Sequence, residues 1–514
     1  MENRLDLSHW IDRHAAFAPG KTALVCDERA WSYLDLSRAI AQMAAALAGQ
    51  GVVLGDRVAH LGYNSAEQLL LLFACARLGA LFVPLSWRLA PPEHRAMLDD
   101  CQPRVLVVDE PFVEASTRLG KELVGTVCIC MGSARAGWMA IGDMLGAACA
   151  RPSAPRHGSM ERAVLLCYTS GSTGQPKGVI LTQNALFYNA VNSAHMHDMS
   201  SADVILTSLP LFHVGGLNIQ TLPALHCGAT VILQARFDPG AVIDALQTQS
   251  VTLTVLVPAQ LDLLENHTGW APLRSATLRS ITTGSTIVGS ASYCRHLRAD
   301  VPLIQVYGAT ETCPIAAYQR ASDAMQHPGS IGKVALHCEL RLTDQAGLDV
   351  AQGVTGEIWI RGPNLMVGYW GKPNESEAAL ADGWYHSGDV GHQDEDGYLY
   401  VDGRRTDVII SGGENIYPAE LENVLAQCPD IAEVAVVGRP DERWGEAVVA
   451  VVVPKPGQHV DAARIAELLE GRVARYKLPR EVVVAHSLPR TALGKLMREQ
   501  IKTTVRRSSS VEAA

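Results

Sequence analysis

Apolar residues along this chain follow two rhythms. Short β-branched runs such as DRVAHLG, RVLVVDE, TVILQARF, TLTVLVP and LRSITTG (278–284) read as buried strands, each closed by a polar or glycine turn. Between them lie Ala/Leu-rich periodic segments. WSYLDLSRAIAQMAAALAGQG (31–51) predicts a helix that stops at glycine. LLLLFACARLGALFVPL (69–85) is the most apolar run, but Arg77 interrupts it and proline follows. It predicts a core helix followed by a strand, not a membrane span. Such alternation implies an α/β fold with largely parallel sheets.

The texture changes near 356. GEIWIRG, GYLYVDGR and DVIISGG are short strands between glycine turns, which marks a β-rich subdomain. After Tyr417, helix (PAELENVLAQ) and strand (IAEVAVVG, AVVAVVV) alternate again. VDGRRTD is the expected boundary, giving domains at 1–403 and 404–514. ARPSAPRHGSMER (150–162) reads as a loop leading into the strand AVLLCYTS, and the tail VRRSSSVEAA reads as unstructured.

At 514 residues the chain exceeds one compact core. Its 48% hydrophobic and 19% charged residues suit an ordinary soluble globular protein, and its net charge of −10 argues against non-specific nucleic-acid binding. Residues 405–514 carry 15 basic and 15 acidic side chains, so the acidic excess lies upstream. Within them, 471–507 hold ten basic and two acidic residues, either a solvated face or a docking surface for a phosphorylated ligand. Twelve cysteines form no CxxC pair, which points to reduced thiols and a cytoplasmic setting. His195 and His197 lack a partner motif for a metal, and MENRLDLSHW is not a signal peptide.

The chemistry starts at YTSGSTGQPKGV (168–179). Glycines allow close backbone approach, while exposed N–H groups, hydroxyls and a lysine suit phosphate oxygens. A Walker A loop needs glycine before its lysine and Ser/Thr after it. Here Pro176 precedes Lys177 and Gly178 follows, so this is instead a loop closing over a polyphosphate.

The stretch resembles the phosphate loop of the adenylate-forming superfamily of acyl-CoA synthetases, peptide-synthetase adenylation domains and luciferases. Four further segments match in family order. YGATE (307–311) resembles the adenine motif and WYHSGDV (384–390) the ribose motif. GRRTDVIISGGENIYPAELE (403–422) is similar to the interdomain crossover, and LPRTALGKL (488–496) to the C-terminal lysine motif. The resemblance covers essentially the whole chain. It implies a large N-terminal domain of layered α/β subdomains plus a β-rich subdomain, with a small mobile α+β C-terminal domain.

The implied reaction joins a carboxylate to ATP as acyl-AMP, releasing pyrophosphate, and then passes the acyl group to coenzyme A. Two anions must meet, so positive charge is needed at the reacting phosphate. The resemblance assigns that charge to Lys495. It makes Glu311 the Mg²⁺ ligand, sets Thr310 on a phosphate and packs Tyr307 on adenine. Asp389 would hold the ribose with Arg404 assisting. Thr169, Ser170, Gly171, Ser172, Thr173, Gly174 and Lys177 would steer the β- and γ-phosphates, with Gly284, Ser285 and Gly308 beside the nucleotide. SLPLFHVGGLNIQ (208–220) is similar to the entry of the acyl-site helix. It makes His213 a gate, and Val214, Gly215, Thr283, Gly308 and Ala309 pocket wall. TTGSTI (282–287) departs from the usual Gly-Gly-Ala there. Gly412 and Gly413 would line a pantetheine tunnel, and Arg472, Arg475 and Lys477 would meet CoA phosphates or release pyrophosphate. Thr406 stands at the hinge, where relatives carry aspartate or lysine; a hinge needs φ/ψ freedom more than one side chain.

The segments expected at the acyl pocket hold no arginine or lysine, which favours an uncharged acyl tail, either a medium or long fatty acid or an aryl acid. Three other readings stay open at this level: loading of a carrier protein, a silent nucleotide-binding scaffold, and a luciferase-type oxygenase. Glu311, Asp389, Arg404 and Lys495 weigh against the scaffold, and nothing in the sequence supports the oxygenase. The partners expected are ATP, a small carboxylic acid and CoA, with no stable membrane insertion; monomer and homodimer both remain open.

Overall fold

The computed structural model describes residues 5–135, 137–148, 156–169, 176–270, 275–284, 301–411, 414–441, 443–490 and 496–512. Its described strands form a nine-stranded sheet, an eight-stranded sheet, a four-stranded sheet and a five-stranded C-terminal sheet. In the nine-stranded sheet, Leu253–Val255, Ser280–Thr283 and Leu303–Tyr307 run parallel as neighbours. In the eight-stranded sheet, Leu81–Leu85 pairs in parallel with Arg57–Leu61 and Ala163–Thr169. The expected β-rich piece is an antiparallel sheet of Glu339–Thr343, Gly356–Arg361, Tyr385–Gln393 and Leu399–Arg404, but DVIISGG is not part of it: its strand Ile409–Ser411 pairs within the C-terminal sheet.

One buried cluster joins these three sheets to the helices between them. The run at 69–85 forms the helix Ala66–Leu78, buried on all sides, and then the strand Leu81–Leu85. Its turn is Gly79, at φ 71°, where an added Cβ would sit 2.6 Å from Leu54 Cδ1. Arg77, 6% exposed inside this helix, is matched by Asp12 at 3.1 Å and donates to Ser8 Oγ. No helix among the described residues is long and apolar enough to cross a membrane.

Two further expectations need correction. The helix expected from 31 begins at Tyr33. Trp31 and Ser32 belong to the strand Arg29–Ser32, which folds back on Thr22–Cys26 through Asp27 and Glu28, both at positive φ. Ser32 then caps the helix, accepting from Asp35 N while the Asp35 carboxylate accepts from Ser32 N. The tail expected to be unstructured continues the helix Arg498–Glu512. Ile501 and Val505, both buried against Ala435 and Val437, anchor that helix to the C-terminal sheet. Between the four-stranded and C-terminal sheets lies a single 3₁₀ turn, Arg405–Asp407.

Candidate active site

Parallel strands deliver their C-terminal ends to one crevice, the usual place for ligands in such sheets. Here Ser280–Thr283 ends in Gly284 and Leu303–Tyr307 ends in Gly308. Both glycines answer to crowding. A Cβ on Gly284 would lie 2.8 Å from Val306 O, and one on Gly308 only 1.8 Å from Pro314 O. The chain then turns through Thr310–Thr312, with Ala309 N donating to Thr312 Oγ1 and Asn364 Nδ2 donating to Thr312 O. Thr310 is buried in this turn.

The adenine and ribose motifs meet directly. Strand register sets Asp389 opposite Arg404. Arg404 Nε lies 2.7 Å from Asp389 Oδ1, and Tyr307 Oη donates to Asp389 Oδ2 at 2.8 Å. Ser387 completes the cradle by accepting from Asp389 N through Oγ and from Arg404 Nη1 through its carbonyl. Burial and then the Asp389 charge push the Tyr307 phenol well above its ordinary pKa, so it stays a donor. Burial opposes the Arg404 charge, but Asp389 and then Tyr307 outweigh it and raise the guanidinium pKa.

The expected phosphate loop leads into the strand Lys177–Thr182. That strand pairs with Ala163–Thr169 on one edge, Thr169 opposite Lys177, and with Gly368–Tyr369 on the other, Tyr369 opposite Val179. Tyr369 was missed by sequence reasoning. Its hydroxyl donates to Glu311 Oε1 at 2.8 Å, and Lys177 Nζ stands 5.1 Å from its ring centroid. Glu311 is held from behind as Met366 N donates to its carbonyl. Phosphate-loop stem and acidic residue thus share one tyrosine. Among the described residues no three His, Cys, Asp or Glu side chains converge on a metal by themselves. A lone carboxylate beside phosphates is the setting Mg²⁺ accepts, because it keeps much of its water.

His213 precedes the short helix Val214–Gly216, and its Nδ1 accepts from Gly215 N at 2.9 Å. Val214 is buried, and Gly216 packs so closely that a Cβ would meet Pro210 O at 2.3 Å. A π turn, Leu217–Thr221, follows, a feature frequent at functional sites. Thr283 is fully buried. His195 and His197 do not converge: His195 Nδ1 bonds Tyr318 Oη, while His197 bonds Thr282 and Ser193.

Thr406 lies in the 3₁₀ turn, its carbonyl accepting from Lys502 Nζ at 3.5 Å, and Arg498 stands 3.4 Å from Asp407. Lys477, expected to face a phosphorylated ligand, is instead bound to Glu420 at 2.6 Å, and Arg472 donates to Gln427 Oε1. Charge counting along the sequence does not see these partners. Ser170 through Gly174, Ser285, Gly412, Gly413 and Lys495 lie outside the described residues.

Comparison with known proteins bears on the same segments. The AMP-binding enzyme family model matches residues 11–370, and the model of its C-terminal domain matches 420–495. The chain is 53% identical over 509 residues to an indoleacetate–CoA ligase of Aromatoleum aromaticum, covering 99% of this chain and 100% of that one. It is 38% identical to a feruloyl-CoA synthase of an Amycolatopsis species, covering 96% and 98%. Among solved structures, the o-succinylbenzoate CoA synthetase of Bacillus subtilis with its acyl-adenylate superposes with a TM-score of 0.84 at 32% identity, covering 96% and 97%. The chain therefore belongs to the AMP-binding enzyme family and is an ATP-dependent, adenylate-forming acid–thiol ligase.

Proposed function

We propose that the acid is an aryl acid, with an arylacetate of the indoleacetate type as first candidate, and that the acyl group is delivered to CoA. The carrying observation is end-to-end identity of 53% with an indoleacetate–CoA ligase. The absence of arginine and lysine from the segments at the expected acyl pocket agrees with it, since a second carboxylate would need a buried partner.

In the first half-reaction a carboxylate oxygen bonds the α-phosphorus and pyrophosphate leaves. In the second, the CoA sulfur bonds the acyl carbon and AMP leaves. Lys495 would bridge carboxylate and α-phosphate, where charge develops. Lys177 and the hydroxyls of Thr169, Ser170, Ser172 and Thr173 would hold the outer phosphates, and Thr310 a further phosphate oxygen. Glu311 would hold Mg²⁺, which would neutralise phosphate charge. Tyr307 would pack on adenine, and Asp389 would accept from ribose hydroxyls once Tyr307 or Arg404 releases an oxygen. His213 would gate the acyl pocket between steps. The C-terminal domain, from about 404 with Thr406 as hinge, would carry Lys495 in and then exchange it for Gly412 and Gly413 around the pantetheine arm.

Pyrophosphate release against fatty, benzoic, cinnamic and arylacetic acids, each with and without CoA, tests this. CoA-stimulated turnover of arylacetates is expected. Preference for fatty acids would overturn the substrate class. A CoA-independent burst alone would indicate a carrier protein as acceptor.

A further inference from the structure

The loop-side end of the strand Lys177–Thr182 is tied on both flanks to the end of one helix. Tyr168, the residue before Thr169, pairs with Gly178 across the ladder, and on the other flank Trp370 N donates to Gly178 O at 2.7 Å. Gly178 is boxed in by these neighbours: an added Cβ would lie 2.8 Å from Leu166 Cδ1, 3.2 Å from Trp370 Cβ and 3.3 Å from Tyr168 Cε1. Both aromatic side chains then reach the same residue. Tyr168 Oη donates to Asp100 Oδ2 at 2.6 Å, and Trp370 Nε1 donates to Asp100 O at 3.2 Å. Burial above all raises the Tyr168 pKa, so the phenol keeps the proton it donates.

Asp100 sits in the last turn of the helix Pro91–Cys101, where the final carbonyls have no partner inside the helix. Trp370 takes one of them, and Arg57 takes the next two, its Nε donating to Cys101 O at 2.6 Å and its Nη2 to Gln102 O at 2.8 Å. The Arg57 guanidinium carbon also lies 5.4 Å from the centroid of the Trp370 ring. Met97 and Leu98 are buried in the cluster that Tyr168 and Trp370 pack against, which holds the inner face of the same helix. The helix end is thus a fixed post, and the chain on either side of Gly178 is fastened to it. Asp100 itself is exposed and bonds no residue of the phosphate loop beyond Tyr168 among those described, so it can act on Thr169 and Lys177 only through that tyrosine.

We propose that Asp100 is a positioning residue for adenylate formation: through Tyr168, with Trp370 on the opposite flank, it sets the two ends of the phosphate loop, Thr169 and Lys177, for the outer phosphates of ATP. This rests on the phosphate-loop reading above. A glycine-rich segment has backbone freedom to lose when it holds a ligand, and ends that are already fixed leave less to lose. Thr169 pairs with Lys177, and its Oγ1 donates to Lys177 O at 3.4 Å, so a shift of Tyr168 moves both ends together. Attack of the CoA sulfur on the acyl carbon uses neither end, which confines the contribution to the first half-reaction.

ATP–pyrophosphate exchange with the best acid of the panel above gives KM for ATP and for the acid, and thioester release from supplied acyl-AMP gives the second step. In Asp100→Ala and in Tyr168→Phe, KM for ATP should rise about 3- to 10-fold, the range of one hydrogen bond, while KM for the acid and the thioester step stay within about twofold. Because the two residues act through one bond, the double variant should be no worse than either single variant. Asp100→Asn keeps an acceptor oxygen and should stay within about twofold of the native KM. An unchanged KM for ATP in Asp100→Ala would overturn the proposal. So would additive losses in the double variant, or equal losses in both half-reactions, which would mark a support of the fold alone. A misfolded fraction lowers rates and not KM, so it cannot imitate the expected result. Lys177→Ala separates the two readings: a raised KM for ATP there, with Asp100→Ala like the native protein, defeats this inference alone. A native KM in both variants defeats the phosphate-loop reading with it.

Discussion

Tyr369→Phe separates two jobs held by one side chain. The substitution removes the hydroxyl that donates to Glu311 Oε1 at 2.8 Å. It keeps the ring under Lys177, 5.1 Å away, and the pairing of Tyr369 with Val179 beside the phosphate-loop stem. A hydrogen bond to a charged acceptor contributes about 1.5–3 kcal/mol. Both residues are half-buried, so the low end applies. About 1.4 kcal/mol is a factor of ten, so formation of acyl-AMP should slow about tenfold, and the apparent Mg²⁺ requirement should rise as Glu311 loses its fixed orientation. On the roles proposed, thioester formation from supplied acyl-AMP uses neither Glu311 nor the metal, so it should stay within about twofold. ATP–pyrophosphate exchange across a Mg²⁺ series measures the first step, and CoA thioester release from synthetic acyl-AMP the second. Equal losses in both steps would show that Tyr369 only supports the fold. An unchanged exchange rate would show that Glu311 needs no such support, and the reasoning would fall.

Lys495→Ala should abolish adenylate formation and leave thioester formation from supplied acyl-AMP largely intact, while Gly413→Leu should show the reverse by blocking the pantetheine path; equal loss in both half-reactions for Lys495→Ala would contradict its role. Acid should weaken the fold through His197. Burial lowers its pKa from 6.5 to about 4, so unfolding takes up a proton anywhere between those values. That stability is fully present above pH 6.5 and is lost as pH falls toward 4, to a total of about 3 kcal/mol. Denaturant midpoints from pH 7 to 4.5 check it: His197→Asn should start less stable and decline less, and parallel curves would rule the contribution out.

What could be read from the sequence was what is local in it. The motifs could be found because glycine crowding and nucleotide chemistry leave marks within short segments; Gly308 under Pro314 O is one such mark. The hairpin at Asp27 and Glu28 left none, since neither residue is the glycine or asparagine that a positive φ favours. Pairing with Thr22–Cys26 then drew Trp31 out of the helix its neighbours predict. Lys477 looked like a free cation because its partner, Glu420, is 57 residues away. Tyr369 and Glu311 are 58 apart, and His197 and Thr282, which also bond, are 85 apart. No periodicity records such contacts. The division follows from what each part must do. Binding ATP asks for backbone shape and charge, whose pieces lie in short segments and are assembled by pairings such as Tyr307 with Asp389. Choosing among acids asks for an acceptor or an apolar wall at one point in space, which several elements must build together. The motifs are therefore legible in the sequence and their assembly is not, so Tyr369, with no motif of its own, is where adenylate formation should respond.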